Sequence, residues 1–518
     1  MVANLSSAKS DDIRYAADRA RAQGQWRNAL DLYNQLDNCD TNSAVLLNRA
    51  ICFLALGQQD QAYTLAGKAY VVQNSLWQAR LVQAKAAKAL GRKQEWLTWV
   101  EALHAQYPDQ AEIRMEYAPG VMNVYGDAVL ARQLVKPLVR DPAHAEAAQG
   151  LQLMSLLYDR PKAMTAKALT GHIRTFAKQF LHINDLHKKL YAKTIVEAQA
   201  SIRQTQASRE KKSTAVRRIG FVSGLLCASP VYFLCIQAIR DVAAKGHELI
   251  FFSRSTKTDW ATQELKQLAS QWVDCSQYDS PVLEAVLREF ELDELFDMAG
   301  WTDLEVLKAL STKPAKVQLK WVGGQSCTTG MACFDGFITD NVHTPRETFE
   351  LYSEPLLSLG NHYVTYTPPG YMPAPRQREA GVSLRKIQAQ GFGRLGVVAN
   401  PLKISVEFMK VVRQLLDKTP EAVHLELIDH RYVFERTRQR IAHGLGEKHA
   451  ARIRFITPPD HPSFLSALNE LDLLLDTFPY SGGLTACEAK QLNVPIHVFH
   501  YDRKLFCERH VLSHLQIK

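Results

Sequence analysis

The sequence predicts an α-helical repeat domain followed by two α/β lobes with parallel sheets. Glycines recur at a nearly constant interval through the first third of the chain. From Arg218 onward, short apolar runs alternate with helical segments, and the Pro-rich stretch YTPPGYMPAPRQ at residues 366–377 divides this alternation in two. Such alternation is typical of parallel sheets. We therefore predict repeats at 1–150, a helical linker at 151–213, a first lobe at 214–385 and a second lobe at 386–518.

The repeats are predicted from small residues at fixed distances after the recurring glycines. The glycines are 33, 34 and 35 residues apart, and each falls in a short turn between two helical segments. A period near 34 with small residues where paired helices touch is typical of tetratricopeptide repeats, which stack into a solenoid with a concave surface. We expect a polypeptide partner on that surface; an irregular helical domain is the alternative. The repeated positions are Gly24, Gly57, Gly91 and Gly126, then Ala29, Ala62, Trp96 and Ala131, and then Tyr33, Ala66, Val100 and Val135.

Composition and charge are those of an ordinary soluble globular protein. Hydrophobic residues make up 46% and charged residues 22% of the 518 residues. The formal charge of +9 favours anionic partners, but acids and bases are interspersed, so no nucleic-acid partner is expected. The nine cysteines include no C-x-x-C pair, so neither a zinc site nor a disulfide framework is indicated. No secretory signal is visible, and we predict a cytoplasmic protein.

One segment without charged residues has the length of a membrane span. Residues 220–239 read GFVSGLLCASPVYFLCIQAI, twenty residues in all. Glycines, serines and a proline crowd its earlier part, which indicates a strand, a loop and then a helix. We predict no stable membrane span; a membrane helix is the alternative.

Nine apolar runs are predicted to be the strands of the two lobes, and helical segments separate them. Two doubly wound lobes joined near residue 380 would place a cleft between the carboxyl ends of both sheets. The main runs are RRIGFVSG, HELIFFSR, DELFDMAGW and AKVQLKWVGG in the first lobe, and RLGVVAN, HLELID, RIRFI, LDLLLD and PIHVF in the second.

The stretch LLLDTFPYSGGLTACEAK, at residues 473–490, has the context of an anion site. Asp476 should lie at the carboxyl end of a strand, followed by a glycine-rich turn and a helix that begins near Leu484 or Thr485. The unpaired N–H groups at a helix start bind phosphate well, and Thr485 can add a hydroxyl donor. Glu488, one turn into the helix, can accept hydrogen bonds from ribose hydroxyls. An ordinary tight connection between a strand and a helix is the alternative.

Two further loops follow predicted strands. In ANPLKIS, at residues 399–405, Lys403 is predicted to begin a helix, where it can neutralise a diphosphate leaving group. A solvated lysine is the alternative. In KWVGGQSCTTGMACFDGFITD, at residues 320–340, Thr328 and Thr329 lie in a loop between two strands, for which an ordinary turn is the alternative.

Together with the repeats, these stretches resemble the O-linked N-acetylglucosamine transferase and SPINDLY family, glycosyltransferase family 41. LDTFPYSGGLTACEA is similar to the hallmark LDTFPY-x-G-x-T-T-x-C-[DE]-x-L, and WVGGQSCTTGMACFDGFITD, ELYSEPLLSLG and ANPLKIS resemble three other family patterns. The resemblance implies a GT-B fold, in which two Rossmann-like lobes bind the donor mainly through the second. It also implies inverting, metal-independent transfer of a sugar from a nucleotide donor to Ser, Thr or Asn of proteins.

The resemblance implies roles for individual residues and also marks departures. Lys403 matches the lysine on the donor diphosphate and is the candidate catalytic residue. No proton acceptor and no metal site are assigned. Asn400 matches a neighbouring polar contact, Gly482, Gly483 and Thr485 the phosphate-binding helix start, and Glu488 the acid on the ribose. Among the departures, Leu484 replaces the first hallmark threonine, and Ser229 and Trp301 stand where the family has first-lobe histidines; with Thr328 and Thr329 they form the acceptor-side loops.

Three functions follow from these observations. The first is a protein glycosyltransferase that uses a UDP-sugar, with a GDP-sugar as the alternative donor, and needs no cofactor. The second is an inactive or weakly active homologue that serves as a scaffold or accessory subunit in glycosylation, which the missing histidines favour. The third is a tetratricopeptide adaptor, which explains the repeats but not the hallmark.

Overall fold

The computed structural model describes residues 2–206, 216–379 and 381–517. The chain divides into two compact units: one contains the residues up to Asn123 together with Leu130–Ala148, and the other contains Val124–Val129 together with the residues from Gln149 onward. The predicted boundary between linker and first lobe, at residues 213–214, lies outside the described residues.

The repeat region is built from antiparallel helix pairs, as the repeat period predicts. The four recurring glycines have φ between +71° and +77°, and this left-handed conformation suits glycine in a tight turn. The predicted contact positions are at most 4% exposed, including Trp96, where alanine recurs in the other repeats. The repeated positions are therefore those at which neighbouring helices pack against each other. The helices that form the pairs are α1 Val2–Ala22, α2 Trp26–Tyr33, α3 Ser43–Ala55, α4 Gln59–Val72, α5 Trp77–Ala89, α6 Lys93–Gln106, α7 Ala111–Gly120 and α8 Ala128–Val135.

Four helices lie between the repeats and the first lobe. Their caps explain where two of them begin: the Thr165 hydroxyl accepts a hydrogen bond from the Ala168 amide, and the Asn184 side chain accepts one from the His187 amide. The helices are α9 Ala145–Tyr158, α10 Ala166–Phe180, α11 Asp185–Leu190 and α12 Ala192–Gln206.

The first lobe contains a seven-stranded parallel sheet in the order β3-β2-β1-β4-β5-β6-β7. Strand order reverses direction between β1 and β4, which is where doubly wound sheets bind ligands. Sequence patterns missed β3 and β7, because these edge strands are short and only partly buried. The strands are β1 Arg218–Ser223, β2 Glu248–Ser253, β3 Gln271–Asp274, β4 Glu294–Asp297, β5 Val317–Lys320, β6 Gly336–Thr339 and β7 Leu356–Ser358; the helices are α13 Pro230–Ala244, α14 Trp260–Leu268, α15 Ser280–Glu289 and α16 Leu304–Leu310.

The second lobe contains a five-stranded parallel sheet in the order β10-β9-β8-β11-β12. All five strands coincide with predicted apolar runs, and the order reverses between β8 and β11. The strands are β8 Gly393–Val398, β9 Val423–Ile428, β10 Ile453–Ile456, β11 Leu473–Leu475 and β12 Ile496–His497; the helices are α17 Leu384–Gln390, α18 Val406–Asp417, α19 Glu435–Leu445, α20 His461–Asn469, α21 Leu484–Gln491 and α22 His510–His514.

The C-terminal segment leaves the second lobe and packs into the first. Leu505, Phe506, Cys507 and Ile517 belong to the hydrophobic cluster built around the first-lobe sheet. The Cys507 amide also donates to the Ser326 carbonyl, 2.9 Å away, in a first-lobe loop. The sequence pattern predicts that all of 386–518 belongs to the second lobe, because a local pattern carries no information about contacts between the C-terminal segment and the first lobe.

The charge-free segment at 220–239 forms β1, a loop and the start of α13, as predicted. Within the described residues, no helix combines the length and the hydrophobicity needed to cross a bilayer.

Candidate functional site

Asp476 organises the loop between β11 and α21. Its side chain is buried; Oδ1 accepts a hydrogen bond from the Gly482 amide at 2.7 Å, and Oδ2 accepts one from Arg503 at 3.1 Å. Burial raises the pKa of Asp476 to about 6, against the opposing effect of Arg503. One carboxylate thus closes the turn LDTFPYSGG onto itself and ties it to the chain beyond β12.

Helix α21 begins at Leu484, as predicted, and its first turn faces the loop. Gly483 has no side chain with which to cap the helix, and the Ala486 amide donates to the Gly483 carbonyl, so the Leu484 and Thr485 amides are the ones left for a ligand. Thr485, Gly482 and Asp476 line one small cavity. Leu484, which replaces a family threonine, packs against the first-lobe hydrophobic cluster. The structure therefore brings together the predicted phosphate-binding groups, with an apolar contact in place of one hydroxyl.

Lys403 lies beside this loop. Its ammonium donates a hydrogen bond to the Ser481 carbonyl at 2.9 Å and lies 4.5 Å from the centre of the Tyr480 ring. Burial lowers the pKa of Lys403 to about 8, against the opposing effect of Asp476. A lysine held in this way supplies positive charge next to the start of α21, and a partly desolvated charge interacts more strongly with an anion.

The backbone around Lys403 differs from the prediction. Lys403 was expected to begin a helix, but it ends a short 3₁₀ turn, Pro401–Lys403, and α18 begins at Val406. Ser405 causes the delay, because its hydroxyl caps α18 at Phe408 and also donates to the Phe478 carbonyl at 2.8 Å. This bond fastens the lysine turn to the LDTFPY loop.

Asn400 caps the 3₁₀ turn and thereby positions Lys403. Its Oδ1 accepts a hydrogen bond from the Leu402 amide at 3.0 Å. The polar contact that the family resemblance assigns to Asn400 is therefore accompanied by an internal role.

Glu488 is buried and joined to a histidine that the sequence did not assign. His461 Nε2 lies 2.8 Å from Glu488 Oε1, and His461 Nδ1 lies 2.9 Å from the Tyr371 hydroxyl. Burial raises the pKa of Glu488, and His461 opposes that shift. A ribose would have to share the carboxylate with His461 or displace it.

The first-lobe residues that replace the family histidines are engaged in internal hydrogen bonds. The Ser229 hydroxyl donates to the Leu225 carbonyl at 2.9 Å. Trp301 is buried, and its indole N–H donates to the Thr328 carbonyl at 2.9 Å. Ser229 bonds to the backbone of its own loop and Trp301 packs in the interior, and neither can act as a proton acceptor as a histidine can.

Thr328 and Thr329 are held by a buried carboxylate. Thr328 Oγ1 donates to Glu354 Oε2 at 2.6 Å, and both the amide and the hydroxyl of Thr329 donate to Glu354 Oε1. Glu354 belongs to ELYSEPLLSLG, so two of the stretches that resemble family patterns meet here. Sequence reasoning found both stretches but not their contact.

Tyr480 connects the hallmark loop to its surroundings. Its ring stacks on Tyr158 with centres 4.5 Å apart, and its hydroxyl lies 3.1 Å from the Ser326 hydroxyl. Ser326 belongs to WVGGQSCTTGMACFDGFITD, so two of the stretches that resemble family patterns share this contact.

Two cavities of very different size flank the hallmark loop. The cavity against Asp476, Gly482 and Thr485 has a volume of about 10 Å³, so it holds no more than a water molecule. A cavity of about 790 Å³ lies on another side of the loop, at Ser405 and Phe478. Val511 of the C-terminal segment lines the small cavity, and its amide donates to the Ser481 hydroxyl. A ligand larger than a water molecule could therefore reach the helix start only if the loop and this segment separated.

Comparison with known proteins agrees with the predicted resemblance. Residues 178–366 match the family model described as glycosyl transferase family 41. The chain is 29% identical over 292 residues to a probable UDP-N-acetylglucosamine–peptide N-acetylglucosaminyltransferase SPINDLY of Petunia hybrida, and 28% identical over 288 residues to that of Arabidopsis thaliana. Each match covers 54% of this chain but 30% of the relative, so the chain spans under a third of the length of these relatives.

A solved structure supports the fold along almost the whole chain. A mutant O-GlcNAc transferase of Thermobaculum terrenum superposes with a TM-score of 0.73 at 21% identity, covering 92% of this chain and 85% of that one. A tetratricopeptide solenoid followed by two Rossmann-like lobes of GT-B type is thus confirmed. The predicted resemblance is confirmed as well: residues 178–366 match glycosyl transferase family 41, and about half of the chain is similar to the SPINDLY proteins.

Proposed function

We propose that the chain is a protein glycosyltransferase. It moves a sugar, N-acetylglucosamine or another hexose, from a nucleoside-diphosphate donor to a polypeptide side chain, with inversion and without a metal in the transfer step. The SPINDLY relatives are described as probable UDP-N-acetylglucosamine–peptide N-acetylglucosaminyltransferases, which favours UDP-N-acetylglucosamine as the donor; a GDP-sugar is the alternative. The second lobe binds the donor, and the first lobe faces the acceptor. The repeat solenoid binds the polypeptide, and the protein acts in the cytoplasm.

The observation that carries this proposal is the placement of Lys403 beside the start of α21. Departure of the nucleoside diphosphate leaves negative charge on its phosphate oxygens. In this proposal Lys403, which contacts the Ser481 carbonyl, and the N–H groups at the start of α21 stabilise that charge, while Asp476 and Ser405 hold the loop between them. Preorganised donors of this kind stabilise charge without reorganisation, and removing one typically lowers kcat by about 10²–10³.

An accessory subunit that binds a donor without turnover is the second candidate. The observation that favours it is the internal bonding of Ser229 and Trp301, which stand where family members carry histidines. In this case the donor loop keeps its binding groups, and the first lobe contributes packing instead of proton transfer.

Turnover of nucleotide sugars distinguishes the two candidates. Purified full chain is incubated with a panel of UDP- and GDP-sugars, and both donor hydrolysis and transfer to protein are measured. We expect Lys403→Ala to lower kcat/KM by about 10²–10³, whereas Lys410→Ala, at an exposed position of α18, should behave like wild type.

Three outcomes are informative. Turnover that depends on Lys403 supports the transferase. Donor binding that depends on Lys403, without turnover by the wild type, leaves the accessory role. Failure to bind any nucleotide sugar contradicts both.

A further inference from the structure

Three histidines far apart in sequence meet in the interior of the molecule. His343 lies in the loop after β6 of the first lobe, whereas His510 and His514 lie one turn apart on α22. One ring nitrogen of each lies within 4.8 Å of those of the other two. All three residues are buried, at 0%, 8% and 1% exposure. The two lobes therefore contribute to a single imidazole cluster.

Asp340 orients the first of these rings. Its carboxylate accepts a hydrogen bond from His343 Nδ1 at 3.0 Å and another from the Ser513 hydroxyl at 2.6 Å. With Nδ1 protonated, His343 Nε2 carries the lone pair, and this atom lies 3.0 Å from His510 Nδ1. A carboxylate behind a histidine in this manner is the usual arrangement around a metal-binding imidazole.

His514 gives the second, independent indication of a ligand. Both of its ring nitrogens are buried, and neither makes a hydrogen bond of normal geometry in the part of the chain that the structure describes, although the Gly483 backbone acts on the ring from nearby. A buried polar atom without a partner is costly, so its presence calls for an explanation. The ring also lines a cavity of about 370 Å³ together with Tyr366 and Cys487. Its volume leaves room for a water molecule as an additional ligand.

We propose that His343, His510 and His514 bind a divalent transition-metal ion of the zinc class. Three imidazoles and one water complete the tetrahedral set that zinc favours, with nitrogen ligands at about 2.0–2.1 Å from the ion. His510 and His514 are four residues apart on one helix face, a spacing that serves for two ligands. Closing the cluster from its present spread onto one ion requires side-chain shifts of about 1 Å.

The charges around the histidine cluster explain why Asp340 is needed for binding of a cation. The Lys403 ammonium acts on both His510 and His514, which opposes the arrival of a cation. The Asp340 carboxylate supplies the compensating negative charge through His343. The bound ion would fasten the C-terminal segment to the first lobe. This site is separate from the transfer chemistry proposed above, and its test uses no donor.

Metal titration of the full chain tests the proposal. Chelator-treated protein is titrated with Co²⁺, whose visible absorption reports tetrahedral nitrogen ligands, and then with Zn²⁺ to displace it. We expect one ion per chain, a micromolar or tighter Kd, and a higher melting temperature with Zn²⁺.

Variants distinguish the cluster from other histidines. His514→Gln should lower the affinity at least about 100-fold, and Asp340→Asn about 10- to 100-fold. His514→Gln keeps a polar side chain at this position, and the melting temperature of the metal-free protein checks that the variant folds. His449→Gln, at a buried histidine bonded to Asp417, is the matched control and should bind like wild type.

Two results would overturn the proposal. One is the absence of stoichiometric Co²⁺ and Zn²⁺ binding by the wild type. The other is equal binding by the wild type and by a folded His514→Gln variant.

Discussion

The carboxyl-edge loops of the two lobes use their polar side chains in different ways. In the second lobe, Lys403 directs an ammonium group toward the loop that leads into α21. The residue before that helix, Gly483, has no side chain that could cap it. In the first lobe, Thr328 and Thr329 both give their hydroxyl protons to the buried Glu354. The first arrangement leaves donors for a ligand, whereas the second uses donors to fix the fold.

This difference explains why similar motifs lead to different expectations. A change to the Glu354 network should act on stability, whereas a change near Lys403 should act on donor affinity. Both loops come from stretches that resemble the same family, so resemblance alone does not separate the two roles. The hydrogen-bond partners of the side chains in each loop separate them.

The largest effect is expected at Glu354. Glu354→Ala removes the acceptor for Thr328, Thr329 and the Ser353 amide, so the free energy of unfolding should fall by about 3–4 kcal/mol. Denaturant titration measures the loss. Glu350→Ala, at an exposed neighbour, is the control and should change stability by less than about 0.5 kcal/mol. Equal losses in the two variants would mean that the threonine network is not the reason.

The turn that carries Lys403 can be disturbed through a glycine. A Cβ on Gly126 would lie 2.5 Å from the Pro401 carbonyl carbon, whereas nothing lies within 4 Å of one on Gly57. Both glycines have positive φ, +71° and +73°, so Gly57→Ala controls for backbone strain of about 1 kcal/mol. We expect Gly126→Ala to cost about 3 kcal/mol, because overpacking adds to that strain, and to weaken UDP binding as well.

Thermal or chemical unfolding of both glycine variants, with UDP titrations, gives the comparison. If Gly126→Ala and Gly57→Ala lose the same stability and keep the same UDP affinity, the contact with Pro401 does not position Lys403.

Donor affinity should depend on pH through Lys403. Its pKa is lowered to about 8, so the ammonium is present below that pH and is lost above it. UDP affinity should therefore stay nearly constant from about pH 6.5 to 7.5 and fall by up to about tenfold by pH 9. Calorimetric titration at several pH values measures this. Lys403→Arg should remove the decline, because arginine stays charged; persistence of the decline would assign it to another group.

The smallest effect is expected at Trp301. Trp301→Phe removes the indole donor to the Thr328 carbonyl and should lower stability by about 1 kcal/mol while UDP affinity stays unchanged. Unfolding and UDP titration of the same preparation test both parts. The more exposed Trp260 provides a control, since Trp260→Phe should change stability by no more than about 0.5 kcal/mol. A loss of UDP affinity in Trp301→Phe would bring the first lobe into the donor site.

Local sequence patterns predict much of this fold. The glycine period gives the helix pairs, and apolar runs give all five strands of the second sheet. The start of α21 at Leu484 and the position of Asp476 follow from a strand, a glycine-rich turn and a helix in succession. These features depend on residues close in sequence, so their signals are visible there.

Contacts between distant residues are what sequence patterns miss. His343 and His510 are 167 residues apart, and no spacing rule connects them. The search for C-x-x-C pairs therefore could not reveal the histidine cluster. Sequence patterns do not predict the pairing of Glu488 with His461 for the same reason. Nor do they predict the contact of the C-terminal segment with the first lobe. The late start of α18 depends on Ser405, whose hydroxyl reaches a carbonyl 73 residues away.

A crystal structure of the full chain with UDP tests the central claim most directly. The account predicts that the diphosphate lies within hydrogen-bond distance, about 3 Å, of Lys403 Nζ and the Thr485 amide, with the segment around Val511 moved away from the hallmark loop. A diphosphate bound elsewhere, with Lys403 still on the Ser481 carbonyl, would contradict it.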